Sequence, residues 1–524
     1  MGTIDYIIVV VYSVGLLGLG YYFKNQKNTT DYFLGGRSFG WFELGLSIMA
    51  SQLSAVSFIS ASAFVGFREG GGLKWLSYEF AVPLAMVFLM IILIPPLYHS
   101  GVVSIYGYLE KRFNGTTRTL ISIVFQLSRS FATGIMIYTF SLVLATVLGI
   151  PMWQTILIAG GVTIVYSLQG GMKAVVWGDA VQMIILLVGI FVCIGFGLHH
   201  LGGWGGFVEA LDGSRLVVVD DFTNVGLGGQ EFGFWPMVLG GFFLYASYYG
   251  CDQSEAQRSL SGSNYKQVQR ALLFSGLSRF PITLSYCLMG LIVGTFALQT
   301  PAFRQLIPAE SPDYLMPLFI ANYLPTGVVG ILIVAILAAA MSSLSSAINS
   351  LSAATVNDLI IRNTQTPLTD QQQLRYSKLA SIGWGVVCII LAFTAGDIAK
   401  TVIEAINKVG SVFYGPVLAT FILAITSKKT GATSANIGLV VGVLVNLVLW
   451  LGFEDQVFWF WWNMTGAVTA LGTALVANML LKGQNVKPLQ LQHEKIPLTS
   501  PYPLVLLGYF AFIILFSLSI NYLL

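Results

Sequence analysis

The chain has 524 residues, of which 56 % are hydrophobic and only 9 % are charged, and its formal net charge is +3. A soluble protein carries roughly 25 % charged residues, so a water-soluble globule, a disordered chain and a nucleic-acid-binding protein are excluded. The four cysteines lie in or beside apolar segments and give no pattern of extracellular disulfides. The composition predicts an integral membrane protein with many spans.

Apolar runs long enough to cross a bilayer recur along the whole chain. The first run ends at Lys24, Lys27 and Arg37 instead of a small-residue cleavage site, so we expect a retained helix and not a signal peptide. The stretch 315–356 is too long for one span, and we expect its first part to lie along the outer surface. Fourteen spans are predicted: 4–23, 42–67, 73–98, 119–149, 151–169, 175–200, 235–255, 268–298, 315–356, 375–395, 399–427, 432–453, 459–481 and 502–523.

Basic residues orient these spans across the membrane. With the N-terminus outside, most of the 26 Lys and Arg residues fall in loops on the inner side, as the positive-inside rule requires. The acidic loop 201–234 then lies outside, and both termini are extracytoplasmic. We expect a multi-pass protein of the plasma membrane, or of the inner membrane in a bacterium.

The densest polar group at membrane depth is a run of serines. It holds Ser342, Ser343, Ser345 and Ser346. At about 100° per residue, the carbonyl of Ala339 and the hydroxyls of Ser342 and Ser343 converge on one point. A second arc consists of Ser342, Ser345 and Ser346. Oxygen ligands suit hard cations such as Na⁺, whereas the alternative is that these serines only let neighbouring helices pack closely.

Two other predicted spans carry small and polar residues where a helix would be interrupted. These are 50–57 and 247–253, and the second places a glycine close to an aspartate. Unwound backbone at membrane depth is tolerated only inside protein or beside a cavity. The two interruptions open two five-helix blocks, 42–200 and 235–427. Paired interruptions of this kind indicate a transporter built from inverted repeats, with its binding site at mid-membrane.

Single ionisable residues at membrane depth cost roughly 2.5–3.5 kcal/mol each on insertion scales unless they are paired or wet. We favour a functional role for Glu79, Asp179 and Arg279, and snorkelling or a structural ion pair for Arg129 and Lys408. The sequence has no P-loop motif and no G-x-S-x-G motif, and its four histidines lack metal-site spacing. We therefore expect no enzyme activity.

Several segments, taken together, resemble the solute:sodium symporter family, which includes sodium/glucose, sodium/iodide, multivitamin, proline and sialic-acid cotransporters. These segments are 31–37, 106–113, 170–179, 257–258, 338–346 and 415–416. The resemblance implies an all-α membrane protein with the LeuT-type five-plus-five inverted repeat. Residues 1–41 would hold one extra helix and an inner loop, 42–200 the first repeat, 201–234 the outer loop, 235–427 the second repeat, and 428–524 about three extra helices.

The resemblance also implies sodium sites. The site common to the family would use the carbonyls of Ala50, Leu53 and Ala339 and the hydroxyls of Ser342 and Ser343. A second sodium site, present in some members, would use Asp179, Ser342, Ser345 and Ser346. Because this sequence has all of these residues, we expect two sodium ions per transport cycle.

The substrate site is less well determined by the resemblance. Glu79 matches a sugar-binding glutamate of bacterial sodium/galactose transporters, Arg279 stands where they have a lysine, and Tyr248 where they have a gate tyrosine. The sequence departs from that pattern at Tyr245, Ser57 and Asp252. The candidate substrate-binding residues are Gln52, Ser54, Ser57, Glu79, Phe243, Tyr248, Arg279 and Asn407, with Arg129 as a possible anion contact.

These observations predict a sodium-coupled symporter that imports a small polar solute by alternating access. A monosaccharide or polyol is the first expectation, because Gln52, Glu79 and Asn407 can hydrogen-bond hydroxyls. The alternative is an organic anion such as a monocarboxylate, vitamin or sialic acid, held by Arg279 or Arg129. The expected partners are the solute and the lipid bilayer, with no nucleic acid and no obligate protein partner. A channel, a sensor without flux, and proton coupling through Asp179 or Glu79 remain as alternatives.

Overall fold

The computed structural model describes residues 2–22, 34–167, 171–219, 222–364, 368–398, 401–481, 498 and 500–520. Within these ranges the chain is helical, with two isolated β-bridges. The helices of eight or more residues are α1 Thr3–Tyr22, α2 Trp41–Gln52, α3 Ser57–Gly66, α4 Leu73–His99, α5 Ile105–Arg112, α6 Gly115–Leu148, α7 Met152–Ser167, α8 Gly171–His200, α9 Gly241–Cys251, α10 Gln253–Leu260, α11 Tyr265–Gln299, α12 Leu315–Tyr323, α13 Val328–Ile360, α14 Asp370–Ala392, α15 Val402–Thr426, α16 Ala432–Phe453, α17 Phe460–Leu480 and α18 Pro501–Ser519.

Each predicted span coincides with one of these helices or with a pair of them. In the described part of the chain, nine helices are long and apolar enough to cross a membrane, and the bent pair α2 and α3 makes a tenth. The other predicted spans correspond to α1, α7, α9 and α17, which are shorter or less apolar. The predicted span ends at 23, 168–169, 399–400 and 521–523 lie outside the described residues. The count of fourteen therefore stays a prediction.

The first predicted interruption is a break between α2 and α3, which meet at 60°. Helix α2 ends at Gln52, and Leu53 leaves the helical region at ψ 82°. Polar side chains replace the lost helical hydrogen bonds: the Ser54 hydroxyl accepts from the N–H of Val56 at 3.2 Å, and the Ser57 hydroxyl donates to the Gln52 carbonyl at 3.3 Å. The last carbonyls of α2, including that of Ala50, then lie at a helix end, where intrahelical partners are lacking.

The second predicted interruption is a break between α9 and α10. Asp252 is extended there, at φ −82° and ψ 125°, and its side chain accepts from the N–H of Ser254 at 2.8 Å. An aspartate in this position caps the helix that follows. The long predicted stretch 315–356 likewise divides into α12 and α13, and the Asp5 carboxylate of α1 accepts from the N–H groups of Gly327 and Gly330 at the start of α13.

Close glycine contacts hold one half of the broken helix in place. A Cβ atom on Gly66 of α3 would lie 2.0 Å from the carbonyl oxygen of Gly290 in α11, and one on Gly294 would lie 2.2 Å from the carbonyl oxygen of Gly66. Only glycine lets two backbones approach this closely. Helix α2 packs against α8, α10, α11 and α13, and α9 packs against α4 and α15. Both breaks therefore lie in the centre of the bundle.

Candidate functional site

A cavity with an empty volume of about 690 Å³ lies at the two helix breaks. Its wall is built from α4, α6, α9, α11 and α15, together with the α2 end and the 53–57 turn. The lining residues are Ser51, Gln52, Ser54, Val56, Ser57, Trp75, Tyr78, Arg129, Ala132, Met136, Leu244, Tyr245, Tyr248, Arg279, Tyr286, Ile403, Ile406, Asn407 and Tyr414. Largely apolar and aromatic walls with a few polar groups are typical of small-molecule sites.

The unsatisfied polar groups of this wall are all hydrogen-bond donors. Among the residues that the structure describes, Nε2 of Gln52, Nε1 of Trp75 and both Nε and Nη2 of Arg129 are buried without a hydrogen-bond partner. A buried donor left unpaired costs about 1–3 kcal/mol. Acceptor groups brought to this wall by a solute would remove that cost, so the wall favours a solute rich in acceptors.

Arg129 is the charged group of the wall that is best placed to receive an anion. It is 3 % exposed, and its Nη1 lies 3.6 Å from Oδ2 of Asp252 at the α9–α10 break. The two unpaired nitrogens, Nε and Nη2, form one edge of the guanidinium fork. An arginine edge of this kind matches the two oxygens of a carboxylate.

Glu79 and Arg279 pair with each other. The Nε of Arg279 lies 3.0 Å from each carboxylate oxygen of Glu79, while Thr283 donates to this carboxylate at 2.8 Å and Tyr245 at 3.2 Å. Glu79 is fully buried and does not belong to the lining. Protein donors surround the Glu79 carboxylate in this structure, and the role of Glu79 as a contact for solute hydroxyls stays a prediction.

The other candidate substrate residues divide into two groups. Gln52, Ser54, Ser57, Tyr248, Asn407 and Arg279 line the cavity. Phe243 is absent from the lining and contacts Phe242 at 5.5 Å between ring centroids, since it lies on a different side of α9 from Tyr245 and Tyr248. The side-chain Oδ1 of Asn407 already accepts from the Tyr78 hydroxyl at 2.6 Å, and its side-chain Nδ2 donates to the backbone carbonyl of Ile403 at 2.7 Å.

The structure brings together the elements predicted for the common sodium site. The Ser343 hydroxyl of α13 lies 3.5 Å from the Ser51 carbonyl at the end of α2. Ala50, Leu53 and Ala339 are buried in the same region. The side chain of Ser342 lies outside the described residues. Neutral oxygens at a helix end, next to a serine hydroxyl, are a donor set that fits Na⁺.

At the second predicted sodium site, Asp179 already has protein partners. Its Oδ2 accepts from the Ser47 hydroxyl at 2.5 Å and from Nη2 of Arg258 at 2.9 Å. Nη1 of Arg258 in turn lies 3.9 Å from Oε1 of Glu255. Asp179, Arg258 and Glu255, which we call the triad, are buried and carry one excess negative charge. Ser345 and Ser346 are also buried. The excess negative charge of the triad, with the Ser47 hydroxyl on Asp179, fits a monovalent cation.

Glu255 also belongs to the site, although it is not among the residues that the sequence predicts. The Ser51 hydroxyl donates to its Oε2 at 2.8 Å, and the Tyr248 hydroxyl donates to its Oε1 at 3.4 Å. The signal in the sequence was the polar run 252–258 directly after a predicted helix interruption. The break of a discontinuous transmembrane helix lies at membrane depth, so polar residues that follow it lie inside the protein.

An ion pair joins the end of α3 to the start of α15, one residue away from the lining residue Ile403. Nη2 of Arg68 lies 2.9 Å from Oε1 of Glu404 and 3.3 Å from Oε2 of Glu231. Asp313, in the turn ahead of α12, accepts from the N–H of Val402 at 2.9 Å. Burial raises the pKa of the Asp313 carboxyl to about 6.

This raised pKa predicts how stability changes with pH. The folded protein holds the proton of Asp313 more tightly than the unfolded chain, so the contribution of Asp313 to the stability falls as the pH rises from about 4 to about 6. We expect the Asp313→Asn variant, which lacks this loss, to gain up to about 3 kcal/mol relative to wild type across that range. Melting temperatures of both proteins at pH 4.5 and pH 7 measure the effect. A pH-independent difference would contradict it.

Broken helices around a central cavity, with helix-end carbonyls and hydroxyls beside it, define a secondary transporter of the membrane. The family model of the sodium:solute symporter family matches residues 32–442. The chain belongs to the sodium:solute symporter family and is a multi-pass membrane transporter, not an enzyme.

Individual relatives agree with this assignment. The mouse sodium-coupled monocarboxylate transporter 2 is 31 % identical over 458 residues, which cover 86 % of this chain and 72 % of the relative. The human sodium/iodide cotransporter is 30 % identical over 450 residues, or 85 % and 69 % of the two chains. A substrate-bound outward-open Na⁺-coupled sialic acid symporter superposes with a TM-score of 0.82 at 24 % identity, over 93 % of this chain and 100 % of that one. The fold is therefore the LeuT-type helical fold of these transporters.

Proposed function

We propose that this chain imports a small organic anion together with sodium by alternating access in the plasma membrane. The observation that carries the proposal is the set of unpaired donors on Gln52, Trp75 and Arg129, because a carboxylate offers acceptors and a negative charge to all of them. The names of the relatives, which include a monocarboxylate transporter and an iodide cotransporter, support an anion as well.

A monosaccharide or polyol is a weaker candidate. Each sugar hydroxyl brings a donor as well as an acceptor, and the wall would have to accept those protons. Gln52, Glu79 and Asn407 were expected to hydrogen-bond those hydroxyls. The Glu79 carboxylate is surrounded by Arg279, Thr283 and Tyr245, and Asn407 is engaged by Tyr78, which leaves the Gln52 side chain. The six aromatic side chains of the lining instead favour an anion with an apolar or planar body.

Charge balance supports two sodium ions. Seven buried ionic side chains form the triad, the Arg129–Asp252 pair and the Glu79–Arg279 pair in the described structure: Arg129, Arg258 and Arg279, against Glu79, Asp179, Asp252 and Glu255. Three positive and four negative charges leave a net charge of −1. One sodium ion neutralises this set in the absence of solute, and two sodium ions neutralise it when a monoanion is bound. The second sodium ion therefore enters with the anion.

In this proposal the sodium ions occupy the two predicted sites. The common site uses the carbonyls of Ala50, Leu53 and Ala339 with the hydroxyls of Ser342 and Ser343. The second site uses Asp179, Ser342, Ser345 and Ser346. A bundle of two helix pairs would rock against the scaffold around these sites within the two inverted repeats, 42–200 and 235–427, with both termini outside.

Thermal stabilisation of the purified protein tests the proposal. The ligands are pyruvate, propionate, nicotinate, iodide, glucose and myo-inositol, each in sodium chloride and in choline chloride. A ligand that binds only the folded state at one hundred times its Kd adds about 2.7 kcal/mol of stability. We expect a carboxylate to raise the melting temperature in sodium and much less in choline. Stabilisation by a neutral sugar alone, or equal shifts in both salts, would refute sodium-coupled anion transport.

A further inference from the structure

The second sodium site and the anion-binding wall are connected by a continuous set of buried contacts. Asp179 in α8 contacts Arg258 in α10 at 2.9 Å, and Arg258 contacts Glu255 at 3.9 Å. Glu255 then accepts from two lining residues, Ser51 at 2.8 Å and Tyr248 at 3.4 Å. No solvent-exposed residue intervenes along this path, since each of these side chains except Tyr248 is almost fully buried.

Glu255 interacts with two arginines that have different tasks. Its carboxylate lies 3.9 Å from Nη1 of Arg258, which holds Asp179, and accepts at 3.4 Å from the Tyr248 hydroxyl, which lines the same cavity wall as Arg129. The charge of Arg129 also acts on this carboxylate. Asp252 is the other carboxylate near Arg129, at 3.6 Å, but no ion pair joins Asp252 to Arg258 within the described structure. Glu255 is therefore the acidic side chain that is shared between the cation site and the anion site.

We propose that Glu255 is a positioning residue that couples sodium binding at Asp179 to anion binding at Arg129, an inference that rests on the proposed function. Sodium at Asp179 replaces part of the positive charge that Arg258 supplies there, so Arg258 interacts more strongly with Glu255. Glu255 then offsets less of the positive charge of Arg129, and the anion binds more tightly. By linkage, an anion on Arg129 strengthens sodium binding by the same factor.

The sign of the effects separates this role from a purely structural one. Glu255→Gln removes the negative charge that competes with the anion for Arg129, so we expect pyruvate to bind more tightly in the absence of sodium. The same change leaves Arg258 paired with Asp179 alone, so we expect sodium to bind more weakly. The ligand concentration at the midpoint of each melting-temperature titration should move about tenfold, which corresponds to about 1.4 kcal/mol. Loss of packing would instead weaken both ligands.

The experiment uses the full-length purified protein and measures melting temperature, so it needs no transport activity. Sodium chloride replaces choline chloride at constant ionic strength, with and without N-methylglucamine pyruvate. In wild type we expect pyruvate to lower the sodium midpoint, and in Glu255→Gln we expect this linkage to fall about tenfold. Asp252→Asn is the matched control: it removes the other carboxylate beside Arg129 and should tighten pyruvate binding while moving the sodium midpoint less than Glu255→Gln does, because no ion pair joins Asp252 to Arg258 in the described structure.

The outcomes are distinguishable. Unchanged midpoints in Glu255→Gln, or midpoints that both weaken, would overturn the role of Glu255. If sodium raises the melting temperature of wild type but no carboxylate does, the proposed function fails. The sodium midpoint of Glu255→Gln still tests the role of Glu255 in that case, because an unchanged midpoint would overturn it. If Glu255→Gln does not fold, Tyr248→Phe removes a hydroxyl that donates to Glu255 and should reduce the linkage about threefold. An unchanged linkage in that variant would also overturn the inference.

Discussion

Replacing Arg129 by glutamine is expected to reduce sodium-dependent carboxylate binding by about 100-fold or more. Arg129 lies in the cavity wall with Nε and Nη2 unpaired, and Asp252 is its charged neighbour at 3.6 Å. Truncating one partner of a buried, hydrogen-bonded charge pair costs about 2–5 kcal/mol, which corresponds to this loss of affinity. Arg129→Lys keeps the charge but loses the planar fork, so its affinity should lie between those of wild type and the glutamine variant.

Sodium-dependent uptake of radiolabelled pyruvate and the pyruvate-induced melting shift measure this effect. Arg112→Gln is the matched control, because Arg112 is also buried with two unpaired nitrogens but contacts the carbonyls of Ser427 and Thr430, away from the cavity. We expect that control to leave the pyruvate midpoint unchanged. Wild-type affinity in Arg129→Gln would show that the anion binds elsewhere.

Replacing Asp179 by asparagine is expected to lower the Hill coefficient for sodium from about two towards one. The change removes the excess negative charge of the triad, so Arg258 and Glu255 balance each other and the second sodium ion loses its electrostatic attraction. The common site, at the end of α2 beside Ser343, keeps its oxygens and binds one ion. The Hill coefficient cannot exceed the number of sites.

Initial uptake rates as a function of sodium concentration measure this coefficient. Ser47→Ala is the control, since it removes a hydroxyl that donates to Asp179 at 2.5 Å but leaves the charge in place. We expect the control to weaken sodium binding without lowering the coefficient. An unchanged coefficient in Asp179→Asn would contradict the two-ion proposal.

The helix breaks could be predicted from the sequence because their causes are local. Small and polar residues at 50–57 and 247–253 compete with helical hydrogen bonds, and the structure has a break in each of these segments. Membership of the sodium:solute symporter family could be predicted too, because the motifs of this family are short and contiguous. The family model, which matches residues 32–442, confirms it.

Pairing between distant helices could not be predicted. Hydropathy places Glu79 and Arg279 at membrane depth, but it does not reveal that α4 and α11 bring them within 3.0 Å of each other. Both were therefore interpreted as solute contacts. Arg129 was interpreted as snorkelling or structurally paired and was also named as a possible anion contact, but its unpaired nitrogens become visible only once the neighbours of α6 are known. Periodicity alone also did not separate Phe243 from the side of α9 that lines the cavity.

The net charge of −1 on the triad, the Arg129–Asp252 pair and the Glu79–Arg279 pair has a consequence for how the proposed transporter responds to the membrane potential. In the proposed cycle these seven side chains, two sodium ions and one anion sum to zero charge in the loaded transporter. The empty transporter keeps the single negative charge of the seven side chains as it reorients. An inside-negative potential drives that charge towards the outer face, with up to about 2.3 kcal/mol per 100 mV if it crosses the whole field. Voltage would then act on the return of the empty transporter, and polarised cells would hold most copies with the cavity facing outward before any solute arrives.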